Sequence, residues 1–342
     1  MNPQEDVSLA VHTTFHIGGP ARFFIEAHTE KDIEEAILFS HTHHLPLYPL
    51  GAGSNVLVPD SGVDGVVLRI ALDDIAFEKD GDDTLLIAGA GASWDAVVDA
   101  VGVHGLFGIE NLAGIPGTLG GAAVQNIGAY GAELSSVFEY ADIIDAVTDE
   151  HKRITRAEAA FAYRTSFFKK NRTSIITRVA LRFAPGTAPN LSYADLAKKK
   201  DSGEPLATPV EIANVIRAIR AQKFPHGGEE GTAGSFFKNP VLTRESTNAL
   251  GERFPELPVF PQADGTAKIS LAWLLDHALS LKGYAIGHVR LYEKQPLVVV
   301  ANAGATAQEV NAFANDIAER VFQLTEITLE REVESFGEIS FS

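Results

Sequence analysis

Apolar and polar positions along the chain change period repeatedly, and the changes mark out short strands and amphipathic helices. Residues 21–27 are apolar and aromatic enough for a strand, and residues 45–50 form a second. Between them Thr29 is placed to cap a helix, with Asp32 as its capping-box partner and Ile33, Ala36 and Ile37 on one face. The opening is therefore a βαβ pattern. Further strands are predicted at 66–70 and 84–88, and a helix at 94–103. Regular elements return around 141–147 and 174–183. Thr208-Pro209-Val210-Glu211 supplies a cap, a proline at the first helical position and a glutamate at the third. It opens a helix whose Ile212, Val215, Ile216 and Ile219 face a core. A helix is expected over 270–278. Another follows the capping box at Thr306, with Val310, Phe313, Ala314, Ile317 and Val321 on one stripe. Residues 327–333 read as a last strand. Alternating strands and helices indicate α/β or α+β, and the short, turn-separated strands favour α+β.

Three segments break the pattern. Gly51-Ala52-Gly53-Ser54-Asn55 interrupts two apolar runs. Residues 105–131 hold 8 of the chain's 30 glycines, and Glu110 is their single charge. Residues 186–209 are polar and basic, as a linker or mobile loop would be.

At 342 residues the chain is too long for one ordinary core, and about 150 residues per domain gives two or three units. Apolar residues make up 45% and charged residues 21%, a globular composition. No run approaches the ~18 apolar residues of a membrane span. Residues 1–14 lack the basic start and apolar run of a secretory signal, so the cytoplasm is the expected compartment. The absence of cysteine excludes disulfides, thiolate metal sites and a cysteine nucleophile. A net charge of -17, with no basic run longer than Lys198 to Lys200, argues against nucleic acid as a partner. His41, His43 and His44 read as a polar helix end, since no further ligands accompany them; no metal is expected.

Gly51-x-Gly53 invites a dinucleotide-fingerprint reading, which fails because position 56 is Val56 and a strand-like run follows instead of a helix. A P-loop motif is absent. Two readings of residues 51–55 stay open: a tight turn between strands, or a loop presenting backbone N–H groups to phosphate oxygens, with Ser54 and Asn55 adding donors. The long, uncharged 105–131 segment favours the second, since glycine lets backbone approach a ligand closely.

Specific motifs sharpen this. Asn111-Leu112-Ala113-Gly114-Ile115-Pro116-Gly117, then Val124-Gln125-Asn126-Ile127-Gly128-Ala129-Tyr130-Gly131, resemble the flavin-binding signature of the UDP-N-acetylenolpyruvoylglucosamine reductases, also called UDP-N-acetylmuramate dehydrogenases. Thr14-Phe15-x-Ile17-Gly18-Gly19, the 51–55 loop and Gly234-Ser235-Phe236-Phe237-Lys238-Asn239-Pro240 resemble other parts of it, in the family's order, from about residue 14 to 334. The resemblance implies an α+β protein with a two-lobed FAD-binding fold of the vanillyl-alcohol-oxidase type and a third, α+β substrate-binding domain. It divides the chain into FAD lobes at 1–70 and 71–206, a substrate-binding domain at 207–326 and a returning C-terminal strand at 327–342. It implies FAD and NADPH as cofactors. Residues 51–55, Asn111, Gly114, Ile115, Pro116, Gly117, Thr118, Gly120, Gly121, Ala122, Gln125, Asn126, Gly128 and Ala129 would contact FAD. Gly121-Ala122 stands where some members carry serines, which leaves only backbone contacts there.

The family's reaction reduces an enolpyruvyl ether of a UDP-sugar in cell-wall precursor synthesis. NADPH reduces the flavin and leaves before the UDP-sugar enters. Hydride then reaches the terminal carbon, and an enolate develops beside the carboxylate. Such chemistry needs an enolate stabiliser, a polarising partner and a proton donor. By resemblance these are Arg164, in Tyr163-Arg164-Thr165-Ser166; Glu332, in Leu329-Glu330-Arg331-Glu332-Val333; and Ser235 as the acid. Arg331 stands where the family commonly has proline. Alone, Arg164 would read as a surface ion pair and Glu332 as the solvated face of a strand. On the substrate side the resemblance implies Tyr130, Tyr163, Arg220, Lys223, Lys238 and Asn239, with Tyr193 on a closing loop typical of the longer, first-type members. Arg217, Arg220 and Lys223 form a basic cluster suited to a diphosphate. A monomer with small-molecule partners is expected. The rivals are an FAD oxidoreductase of the same fold with another substrate, a non-catalytic nucleotide-sugar binder, and an NAD-dependent sugar-nucleotide dehydrogenase.

Overall fold

The computed structural model describes residues 2–225 and 230–337. The opening βαβ pattern becomes a four-stranded sheet in the order Gln4–Ser8, Pro20–Ala27, Val63–Ile70, Leu47–Leu50. The first pair is antiparallel and the rest are parallel. Val63–Ile70 lies between two partners and is buried along most of its length, as an interior parallel strand should be. The helix Glu30–His43 covers the sheet. Its Thr29 accepts from Asp32 N while the Asp32 carboxylate accepts from Thr29 N, the capping box expected from sequence.

A five-stranded antiparallel sheet follows, in the order His151–Thr155, Phe138–Asp145, Ser174–Phe183, Asp83–Gly89, Ile75–Asp80. The helix Trp94–Val103 packs on this layer. One apolar core joins both lobes through Ile33, Leu68, Leu86, Trp94 and Phe138. The helix Pro209–Lys223 adds Ile212, Ile216 and Ile219 to that same core, so it seats against the two sheets already described.

A second core is centred on Phe236, Leu274, Val299 and Phe313. It is built from two three-stranded sheets, with strands Val241–Leu242, Ala267–Ile269 and Val259–Pro261 in one and Ala285–Ile286, Val289–Tyr292 and Gln295–Ala301 in the other. The helix Ala307–Thr325 covers it through the stripe read from sequence.

Three local expectations need correction. The glycine-rich 105–131 segment contains a helix, Leu119–Gln125, capped by Thr118. Its small residues carry no amphipathic stripe, and its glycines lower helix propensity. They permit contact instead: a Cβ on Gly120 would lie 2.8 Å from Ala90 Cβ. The 186–209 segment contains the helix Ala194–Asp201, with Leu196 buried in the first core. Finally, residues 327–333 run without regular pairing apart from one bridge between Phe237 and Arg331, and the strand proper is Glu334–Ser335.

Candidate active site

Two loops and a returning strand enclose a cavity of about 360 Å³. The first loop is 51–55. Gly53 has φ +62°, and a Cβ there would fall 2.1 Å from His12 O, so the turn requires glycine. A Cβ on Gly51 would lie 2.7 Å from Thr118 Oγ1. Ser54 Oγ donates to Pro116 O at 3.0 Å and ties the first loop to the second. The second loop is fixed from behind, because Trp94 donates from its backbone to Gly117 O and from Nε1 to Leu112 O. Residues 51–55, 115–118, 120–122, 125, 128 and 129 line the cavity.

Asn111, Gly114 and Asn126 stand behind this lining. Asn111 Nδ2 donates to Tyr130 O and Asn190 O, and its Oδ1 is buried without a partner. Gly114 O accepts from Arg220 Nε at 3.0 Å and so aims that guanidinium. Asn126, at φ +42°, ends the Leu119 helix and ties it to Ala162 O and Ser135 N.

The three residues expected to carry chemistry come from distant segments and line this one cavity. Arg164 Nη2 donates to Gly128 O at 2.6 Å, and Arg164 Nε lies 2.7 Å from Glu332 Oε1 with its N–H out of line. Burial pushes the Glu332 carboxyl up, against the pull of Arg164 and then Lys169. Ser235 follows Gly234, which has φ +76°. Its segment is pinned by Phe236 N donating to Leu297 O and by Glu332 N donating to Phe236 O. The backbone therefore holds the serine and glutamate segments side by side.

Of the residues expected on the substrate side, only Arg220 lines the cavity itself. Its burial lowers its pKa, and it stacks 4.5 Å from the Phe224 ring. Lys223 pairs with Asp195 and lies over the Tyr130 ring at 5.6 Å, and Tyr193 packs edge-on against Tyr130. Tyr163 Oη accepts from Asn239 N. Asn239 Oδ1 accepts from Leu271 N, and Lys238 pairs with Glu330. Arg217 leaves the expected basic cluster, since Asp95 and Asp99 engage it. His41 and His43 bond backbone carbonyls of Ala146 and Phe39, and His44 is the left-handed helix cap. Among the described residues no group of three or more His, Asp or Glu is arranged to hold a metal, and no helix is long and apolar enough to cross a membrane.

Four residues went unread in the sequence: Lys169, Arg172 and Glu334, which line the cavity, and Lys268, whose ammonium lies 4.6 Å from the Tyr163 ring centre. Glu334 had a signal, standing two residues from Glu332, a spacing that turns both side chains to one side of an extended backbone.

The cavity combines backbone exposed by glycine, an apolar stretch at Ile115, Val124, Ile175 and Ile176, and the cations Arg164, Lys169, Arg172 and Arg220. Glycine-exposed backbone beside an apolar wall suits a flat cofactor that carries phosphate, and the cations suit anionic groups. Residues 21–153 match a family model described as an FAD binding domain. The fold and the cavity together define an FAD-dependent oxidoreductase. Residues 226–336 match the C-terminal domain of UDP-N-acetylenolpyruvoylglucosamine reductase. The enzyme of that name from Pseudomonas aeruginosa is 38% identical over 333 residues, covering 96% of this chain and 97% of that one. That from Shewanella baltica is 34% identical, covering 96% of each. The crystal structure of the Thermus caldophilus enzyme superposes with a TM-score of 0.68 at 25% identity, covering 98% of this chain and 100% of that one. The chain belongs to the UDP-N-acetylenolpyruvoylglucosamine reductase family.

Proposed function

We propose that this protein reduces UDP-N-acetylglucosamine enolpyruvate to UDP-N-acetylmuramate with NADPH, as a cytoplasmic monomer serving peptidoglycan precursor synthesis. The observation that carries the reading is the convergence of Arg164, Ser235 and Glu332 on one glycine-lined cavity. Residues 51–55 and 115–129 would hold FAD. When bound, FAD supplies hydride transfer from NADPH to the terminal carbon of the enolpyruvyl group. The protein's own groups manage the charge and the proton. Arg164, already braced by Gly128 O, offers a fixed guanidinium fork to the substrate carboxylate and the growing enolate. The Glu332 carboxyl, held above its usual range by burial, suits the enolate as a neutral hydrogen-bond donor. Ser235 Oγ–H gives its proton to the carbon beside the carboxylate. In this reading Arg220 and Lys223 meet the substrate diphosphate, Tyr130, Tyr163, Lys238 and Asn239 serve the sugar, and Tyr193 belongs to a loop that closes over it. We divide the chain into flavin lobes at 1–70 and 71–206, a substrate domain at 207–326 whose first helix packs back on the core of the lobes, and a C-terminal segment at 327–342 that returns toward the cavity, residues 338–342 lying outside the described residues.

The first test is anaerobic absorbance spectroscopy of Ser235→Ala. NADPH should bleach the flavin as in the wild type, and the enolpyruvyl UDP-sugar should fail to restore it. Normal turnover in this variant refutes the role of Ser235. Failure of the wild type to recover its flavin absorbance with that substrate redirects the reading to another substrate for the same fold.

A further inference from the structure

Glu332 and Glu334 alternate along one extended segment, and both line the cavity. The proposed chemistry uses Glu332 alone. Glu334 nevertheless has the denser set of partners. Its Oε1 accepts from Gln125 Nε2 at 3.2 Å and lies 3.1 Å from Lys169 Nζ. Its Oε2 lies 3.0 Å from Arg172 Nη2. Lys169 Nζ also donates to Gln125 Oε1 at 3.0 Å, which closes a triangle of side chains from three segments. Glu334 and Lys169 are only 20% and 15% exposed, so solvent screens them weakly. The backbone repeats the attachment. Glu334–Ser335 pairs in parallel with Val56–Leu57, Glu334 N donates to Asn55 O, and Asn55 Nδ2 donates to Glu332 O. The extended segment bearing both glutamates is thus tied to the 55–57 segment by its backbone and to Gln125, Lys169 and Arg172 by the Glu334 side chain.

We propose that Glu334 is a positioning residue that clamps Lys169 and Arg172 to the cavity wall in a charge-balanced cluster and thereby sets the seating and protonation of Glu332. The inference rests on the role proposed for Glu332. Four groups face Glu332 from the elements around it: Arg164 and Tyr163 from one loop, Lys169 from the Phe167–Lys170 helix, and Lys238 from the serine segment. The three cations favour its ionised form, and burial opposes them and prevails. Glu334 cancels part of the field of Lys169. Without that counter-charge, Lys169 pulls more strongly on Glu332 and it releases its proton more readily.

The test compares Glu334→Gln and Lys169→Met holoenzymes with wild type. The rate at which the enolpyruvyl UDP-sugar restores flavin absorbance is measured against pH. The limb on which this rate falls as Glu332 deprotonates should move to lower pH in Glu334→Gln and to higher pH in Lys169→Met. A merely structural residue would lower the rate without moving that limb in opposite directions. Unmoved limbs, or limbs moved the same way, overturn the proposal. The midpoint potential of the bound flavin reads the same cluster without substrate: it should rise in Glu334→Gln and fall in Lys169→Met. If the wild type does not turn over this substrate, the functional reading falls. The potentials then decide alone, opposite shifts supporting the clamp and any other result removing it. If Glu334→Gln does not fold, Lys169→Met decides by the same limb and potential.

Discussion

Glu332 is the residue whose environment departs furthest from what its local sequence suggests. Leu329-Glu330-Arg331-Glu332 looks like a solvated strand face, yet the Glu332 side chain is only 17% exposed while that of Glu330 is 71% exposed. Burial raises its folded pKa above the ordinary carboxyl value of about 4.3. The native state therefore holds the proton more tightly than the unfolded chain. Stability falls as pH rises from the unfolded value through the raised folded value, and is level above it. Glu332→Gln keeps the shape without the charge. Its thermal midpoint should exceed that of wild type at about pH 8 and match it at about pH 4; a variant that melts below wild type at the higher pH contradicts the burial argument. Arg164 is unusual in its backbone, with φ +53°. For a non-glycine residue this conformation costs about 1–2 kcal/mol. Its guanidinium reaches Gly128 O from there.

At the level of elements, the cavity depends on helices and loops that let backbone approach. The Leu119–Gln125 helix touches Ala90 because Gly120 has no side chain; an added Cβ would also lie 3.0 Å from Ala90 O. Gly120→Ala must push the helix toward the cavity, at a cost of about 1–3 kcal/mol. FAD binding should weaken by about tenfold or more, read from the ratio of visible to ultraviolet absorbance after purification and from FAD titration. Full flavin content in this variant would show that the helix has room to spare. The strongly periodic elements were legible in advance. Thr29, Thr208 and Thr306 each form the capping box their spacing implies. Leu119–Gln125 and Ala194–Asp201 were not legible, because one is made of small residues and the other hides a single buried leucine, Leu196, among lysines. The candidate site was legible where motifs are dense, at residues 51–55, 115–129, Arg164, Ser235 and Glu332. It was illegible at Lys169, Arg172 and Lys268, whose neighbours in sequence give no hint of what they face.

Across the whole molecule, the two cores are joined by polar contacts that no local pattern announces. The Asp60 carboxylate, from the loop after Val56–Leu57, accepts from Ala307 N and Gln308 N at 2.8 and 3.0 Å. It thus caps, from the first lobe, the helix that covers the second core. Thr14 Oγ1 donates to Thr232 O at 2.6 Å, close to the serine segment. Asp60→Ala should lower stability by about 0.5–2 kcal/mol, measured by denaturant unfolding of the holoenzyme. An unchanged midpoint would mean that the helix end is satisfied equally well by water. The sequence by itself determined the α+β character, the capped helices, the glycine-rich loops and the family, because each depends on residues close together in the chain or on motifs kept in order. Only the tertiary structure decided that Arg217 serves Asp95 and Asp99 while Arg220 faces the cavity. It alone decided that Glu334 completes a cluster with Gln125, Lys169 and Arg172. The physical reason is that the charge a side chain meets, and the water it loses, are set by segments up to hundreds of residues away, which chain order does not encode locally.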